Sequence, residues 1–206
     1  MRPYNRERVS ELVARMVVGT LFVLLSINLL GDFLRTRHIT GLFLLISEAM
    51  VVVLTIVRRP AGRVDRSTAA RIVTTLALVG PPLLRAVDGA ALVLDELTAF
   101  VSIIGVSLVI AGKLTLGRSF GIAPANRGIV AAGPYLLVRH PIYTGYLITH
   151  AAFLVAHPSL WNITVLVISD TALVIRALYE ERVLQLDDRY RDYCNRVGWH
   201  LVPGVF

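Results

Sequence analysis

Residues 92–116 read LVLDELTAFVSIIGVSLVIAGKLTL, and the reading of this stretch decides the fold. Asp95 and Glu96 stand at its start and Lys113 one turn before its end, with no charged residue between them. A helix rises about 1.5 Å per residue, so a run of this length reaches across the ~30 Å hydrocarbon layer of a bilayer. Three more apolar runs precede it, at 12–30, 39–57 and 69–87. Hydrophobic residues make up 55% of the 206-residue chain and charged residues 17%, and the mean hydropathy is +0.67. A water-soluble domain of this size could not bury so much apolar surface, whereas a bilayer can.

The charged residues sit between the apolar runs and assign a topology. The net charge is +7, and all basic residues but Lys113 are arginine. Arg2, Arg6 and Arg8 precede the first run and Arg15 lies in its first turn; the run is too long for a signal-peptide core and is expected to be a retained spanning helix. The 58–71 loop, with a Pro-Ala-Gly turn at its start, the 113–140 region and the tail are also rich in arginine, whereas 88–96 carries only acids. Four spans followed by a helical hairpin place all the Arg-rich segments on one side, the cytoplasm by the positive-inside rule. Arg35 and Arg37 are the exception. Arginine in place of lysine also suggests a GC-rich bacterial genome, hence an inner membrane. Basic patches interleaved with aromatics are absent, which excludes nucleic-acid binding. Cys194 is the single cysteine and can form neither an internal disulfide nor a metal cluster.

The texture changes at Gly117. Residues 117–141 hold glycine, proline and arginine and no run of spanning length. A helix is expected over 143–156, a turn at His157-Pro158-Ser159, and a long helix from Trp161 past Glu181. The segment before them reads Arg127-Gly-Ile-Val-Ala-Ala-Gly-Pro-Tyr135 and then Val138-Arg-His-Pro-Ile-Tyr-Thr-Gly145. Gly133 and Pro134 predict a fixed turn before Tyr135. Pro141 suits the first position of a helix. That places Arg139 and His140 at a helix entrance, where backbone N–H groups and the dipole favour anions. On the last helix Arg176 and Glu180 are four residues apart and share a face. The hairpin returns Glu180 to the membrane side of His140, so arginine, histidine, tyrosine and carboxylate groups can converge there. Glu48, Arg85 and Asp170 lie within or near apolar runs, where charges are costly and face the protein interior or reach for an interface.

Taken together, Gly133-Pro-Tyr135, Arg139-His-Pro-x-Tyr143-x-Gly145, Arg176-x-x-x-Glu180-Glu181-x-x-Leu184, Tyr190-x-x-Tyr193 and Pro203 resemble the isoprenylcysteine carboxyl methyltransferases and their prokaryotic relatives. The resemblance covers about residues 117–206; the four earlier runs match in hydrophobic character only. It implies a membrane methyltransferase using S-adenosylmethionine, the cofactor held by Arg127, Gly128, Ile129, Val130, Tyr135, Arg139, His140, Pro141, Ile142, Tyr143 and Glu180. It also implies that Arg176 contacts the acceptor and, with Glu180, carries the catalysis. Where relatives often have a polar cofactor contact, this chain reads Arg118-Ser-Phe-Gly121, and no role transfers there.

The expected architecture is an all-α, polytopic membrane helix bundle with a cytoplasmic cofactor pocket. Residues 1–116 would form the transmembrane helices, and 117–206 a cofactor-binding region with a helical hairpin and an amphipathic tail. The expected reaction is methyl transfer to a carboxylate of a lipid or other lipophilic acceptor that arrives from the bilayer. Phospholipid N-methyltransferases and some membrane reductases share related C-terminal patterns, so a phosphatidylethanolamine methyltransferase, a nicotinamide-dependent reductase and a small transporter are the alternatives. The acceptor and the oligomeric state are open at this level.

Overall fold

A computed structural model describes residues 39–85 and 92–206, together with six helical positions from Met16 to Leu34. The expected first span, the placement of Arg35 and Arg37, residues 86–91 and the side chain of Glu48 lie outside the described residues. The chain divides into two compact units at Arg58. In the first, helix α1 (Ile39–Val57) buries Ser47, Val51 and Thr55, one face at four-residue spacing, and exposes Ile46, Val53 and Ile56.

The second unit is also helical. Helix α2 (Thr68–Val79) begins where the Ser67 side chain accepts the Ala70 N–H at 3.1 Å. It stops at Gly80, because Pro81 and Pro82 lack the N–H needed to continue, and a 3-10 turn over Pro81–Leu83 interrupts the span expected over 69–87. Helix α3 (Asp95–Leu116) fills the stretch that decided the fold. Helix α4 (Pro141–Ala156) opens on its proline, and helix α5 (Leu160–Leu184) opens on Ser159, whose side chain accepts the Asn162 N–H at 3.1 Å. Helix α6 (Asp188–Arg196) follows, capped by Asp187. A short antiparallel pair, β1 (Arg63–Val64) and β2 (Ala125–Asn126), ties the 58–71 loop to the segment before the site, a pairing too short to show in the hydropathy pattern.

Two close helix pairs make the frame. Helix α3 lies along α4, and α2 along α5. Glycine permits both approaches. A Cβ on Gly105 would stand 2.7 Å from the Gly145 carbonyl oxygen, and a Cβ on Gly80 would overlap the Ser169 side chain. At the α2/α5 end, buried Asn162 donates to the Arg85 carbonyl at 2.9 Å and accepts its N–H at 3.0 Å, while the Arg85 guanidinium covers the Trp161 ring. Arg85 is thus a structural residue. Helices α4 and α5 form the expected hairpin through the His157–Ser159 turn, yet their backbones approach each other at few points. Long polar side chains cross the seam between them.

The unit exposes large apolar side chains and buries several polar ones beside its apolar core. Leu97, Phe100, Ile104 and Leu114 of α3 and Leu160, Ile163, Val167 and Ile168 of α5 are exposed, while Lys113, His150, Asn162, Ser169, Arg176 and Glu181 are buried. Among the described residues two helices are long and apolar enough to cross a membrane, over Glu96–Ser119 and Leu160–Leu184.

Candidate functional site

At the end of the α4/α5 seam where α4 begins, His140 precedes the first helical residue and Tyr143 lies one turn on. Their rings stack in parallel, 5.2 Å between centroids. The Tyr143 hydroxyl donates to Oε2 of Glu180 at 2.6 Å. The guanidinium of Arg176 covers the Tyr143 ring at 5.1 Å and donates through Nη2 to the Gly121 carbonyl at 3.4 Å, while its buried Nε has no hydrogen-bond partner. The other Glu180 oxygen, Oε1, likewise has none among the described residues. A buried cation beside a half-engaged carboxylate, on two stacked rings, can hold a zwitterion or pair one charge with another.

Tyr135 is brought to the same place by the 3-10 turn Gly133–Leu136, with Gly133 at φ +53°, a conformation glycine favours. The Tyr193 hydroxyl of α6 fastens this turn by donating to the Tyr135 carbonyl at 2.6 Å. Burial, then the nearby Glu180 charge, pushes the Tyr135 hydroxyl well above the usual phenol range, so it stays protonated. Burial raises the Tyr190 and Tyr193 hydroxyls and the Cys194 thiol in the same direction. Ile129 packs on the tyrosine cluster.

Arg127 is buried, and its guanidinium fills the space that a Cβ on Gly121 would need. Gly121 in turn accepts from Arg176, so Arg127 and Arg176 flank one backbone segment. Arg127 and Gly128, the latter at φ +106°, also wall a cavity of about 530 Å³ with Pro60, Arg63, Asn126 and Asp187. The Asn126 amide donates to Asp187 at 3.0 Å, and this bond holds the Asp187 carboxyl below the usual range. Pro141 and Ile142 are buried, Ile142 resting on Gly112 of α3. Val130 is half-buried.

Arg139 faces elsewhere. Its Nε donates to the Val197 carbonyl at 2.8 Å, Nη2 to the Cys194 carbonyl at 3.3 Å, and Nη1 to Glu181 Oε2 at 3.2 Å. Glu181 also meets His140 Nε2 at 2.9 Å and His200 Nδ1 at 2.6 Å, both on Oε1. The backbone N–H groups of Arg139 and His140 donate to the Trp199 and His200 carbonyls, each at 2.9 Å, and Thr144 donates to Leu201 at 2.7 Å. The tail therefore closes over the helix entrance that the sequence suggested for an anion. Glu181 stands in the quoted motif without a role, and the sequence gives His200 none. The doubled acid at 180–181 was the signal for the first; for His200 there was none.

The phospholipid methyltransferase family model matches residues 84–187, half of the chain, and spans α3, the site segment, α4 and α5. The chain belongs to this family of integral membrane methyltransferases, which includes the isoprenylcysteine carboxyl methyltransferases. It is accordingly an integral membrane methyltransferase, and its reaction needs a methyl donor. No curated protein matches the chain.

Proposed function

We propose that the chain transfers the methyl group of S-adenosylmethionine to a carboxylate on a lipophilic acceptor that reaches the site through the α4/α5 seam. The observation that supports this most is Arg176, a buried guanidinium on the Tyr143 ring whose Nε has no partner. Arginine presents a planar fork suited to a carboxylate.

The residues fit the cofactor. Glu180 keeps one oxygen for an ammonium or a ribose hydroxyl, and the His140–Tyr143 stack offers a flat face to a base or a cation. Tyr135, Arg127, Gly128, Ile129, Val130 and Pro141 would complete the walls. When bound, S-adenosylmethionine supplies an electrophilic methyl group. Arg176 holds the acceptor carboxylate, which is already ionised and needs no base. Tyr143 fixes Glu180 by its hydrogen bond, and the buried surroundings exclude water, so the residues contribute mainly orientation. Arg139, through Glu181 and the tail carbonyls, keeps the His140 backbone in place. We place the site on the cytoplasmic face of a bacterial inner membrane, in line with the arginine distribution.

The family match supports a second reading, methylation of a phospholipid amine. Glu180 Oε1 could then receive the ammonium proton. Incubating the protein in lipid nanodiscs with methyl-labelled S-adenosylmethionine, phosphatidylethanolamine and a long-chain carboxylic acid separates the two. The carboxylate reading expects label that mild alkali releases as methanol, since it cleaves an ester. Alkali-stable label in the phospholipid would overturn it in favour of the amine.

A further inference from the structure

The seam between α4 and α5 continues past the site. One level deeper, His150 Nδ1 meets Asp170 Oδ1 at 2.7 Å. Seven residues separate Tyr143 from His150 and ten separate Glu180 from Asp170, so the second pair lies about 10–15 Å further along the helices. His150 is 8% exposed and its ring stacks on Tyr146, 6.2 Å between centroids. Its Nε2 and the Asp170 Oδ2 have no hydrogen-bond partner among the described residues. The Asp170 side chain keeps 24% of its surface accessible.

An interhelical latch would bury and satisfy both groups. This pair leaves one nitrogen and one carboxylate oxygen without a partner among the described residues, with both side chains partly accessible, and within an apolar span an unmatched polar atom is costly. The α3/α4 and α2/α5 pairs of this unit are tight, and the α4/α5 seam, which also passes Arg176 and Tyr143, is more loosely packed. We propose that the His150–Asp170 pair is a second polar contact for the acceptor and receives a hydroxyl group carried on the acceptor's apolar chain. A hydroxyl suits the free atoms better than other groups. Its one proton can go to Oδ2, which can only accept, while its oxygen accepts from a protonated Nε2; against a neutral imidazole, whose Nδ1 already faces Asp170, that proton goes to Oδ2 or to Nε2. A carbonyl would leave Oδ2 unmatched, and an ammonium would fail against a protonated Nε2.

The inference rests on the proposed lipophilic acceptor in the α4/α5 seam, and its test keeps the two separable. Equilibrium binding to the protein in nanodiscs is measured for octadecanoic acid and for the same acid hydroxylated at mid-chain. One hydrogen bond predicts about five- to tenfold tighter binding of the hydroxy acid. His150→Phe and Asp170→Leu should each lose that preference and still bind the parent acid as the unmodified protein does. Equal affinity for the two acids in the unmodified protein, which needs no variant to fold, overturns the proposal. So does a preference that survives in His150→Phe, or failure of both acids to bind. Methyl-ester formation is read separately. A hydroxyl preference without ester would remove the carboxylate reaction and leave this site standing; ester formation without preference would do the reverse.

Discussion

Glu180 and Glu181 are neighbours in sequence and belong to different regions of the molecule. Successive residues on a helix point about 100° apart, so one carboxylate faces the seam and the other the tail. Glu181 is saturated: Arg139, His140 and His200 all contact it, and it is almost fully buried. Glu180 is half-engaged, with one oxygen on Tyr143. The difference teaches how to tell a carboxylate that holds a fold from one that can hold a ligand. A saturated buried acid has no capacity left for a substrate, while a fixed acid with a free oxygen is already oriented for one.

The comparison breaks first at Glu181. Glu181→Ala leaves the Arg139 guanidinium without its carboxylate, takes the shared partner from His140 and His200, and releases the tail; it should lower stability by about 3–5 kcal/mol, read by thermal unfolding in detergent. Glu180→Ala should leave the unfolding temperature near that of the parent and abolish measurable S-adenosylmethionine binding in calorimetry. If Glu181→Ala instead loses only cofactor affinity, the two roles are exchanged. Arg176→Ala should keep cofactor affinity within about twofold and lose turnover, because one fork of hydrogen bonds to the acceptor carboxylate disappears. Loss of cofactor affinity would move Arg176 from the acceptor to the donor side.

The frame predicts an effect of its own. Gly105→Leu pushes a side chain into the Gly145 backbone and should cost about 1–3 kcal/mol, again by thermal unfolding, whereas Gly198→Ala, with open space around it, should change little. The smallest effect concerns pH. The Asp187 carboxyl is held low by the Asn126 amide and by the Arg189 N–H. A depressed acid contributes its stability fully above the ordinary aspartate value of about 3.9 and loses it as pH falls through its folded value. The protection of the 125–128 amides, exchange measured relative to the intrinsic rate at each pH, should therefore hold at neutral pH and fall below about pH 4. Asn126→Ala should bring that fall to a higher pH.

Much of this was legible in the chain. Pro141 opening a helix, the turn before Tyr135 and the His157–Ser159 corner are local matters, set by a missing donor or by glycine. The convergence of His140, Tyr143, Arg176 and Glu180 followed from helix periodicity and one reversal of direction. Asp170 stood out because an acid inside an apolar run is rare, but its partner His150, twenty residues away, did not. Arg139 read as a pocket residue because it sits beside His140. Its guanidinium in fact points to carbonyls more than fifty residues later, and no local pattern reports a chain that returns.

The sequence by itself determined that the chain is a membrane helix bundle with its polar chemistry at one helical hairpin, because apolar run length and the 3.6-residue period are local properties. Only the tertiary structure decided which acid of the 180–181 pair is structural, and that the α4/α5 seam is looser than its neighbours. Those outcomes depend on the direction of each side chain and on where glycine lets two backbones meet, and both are settled by contacts between residues far apart in the chain.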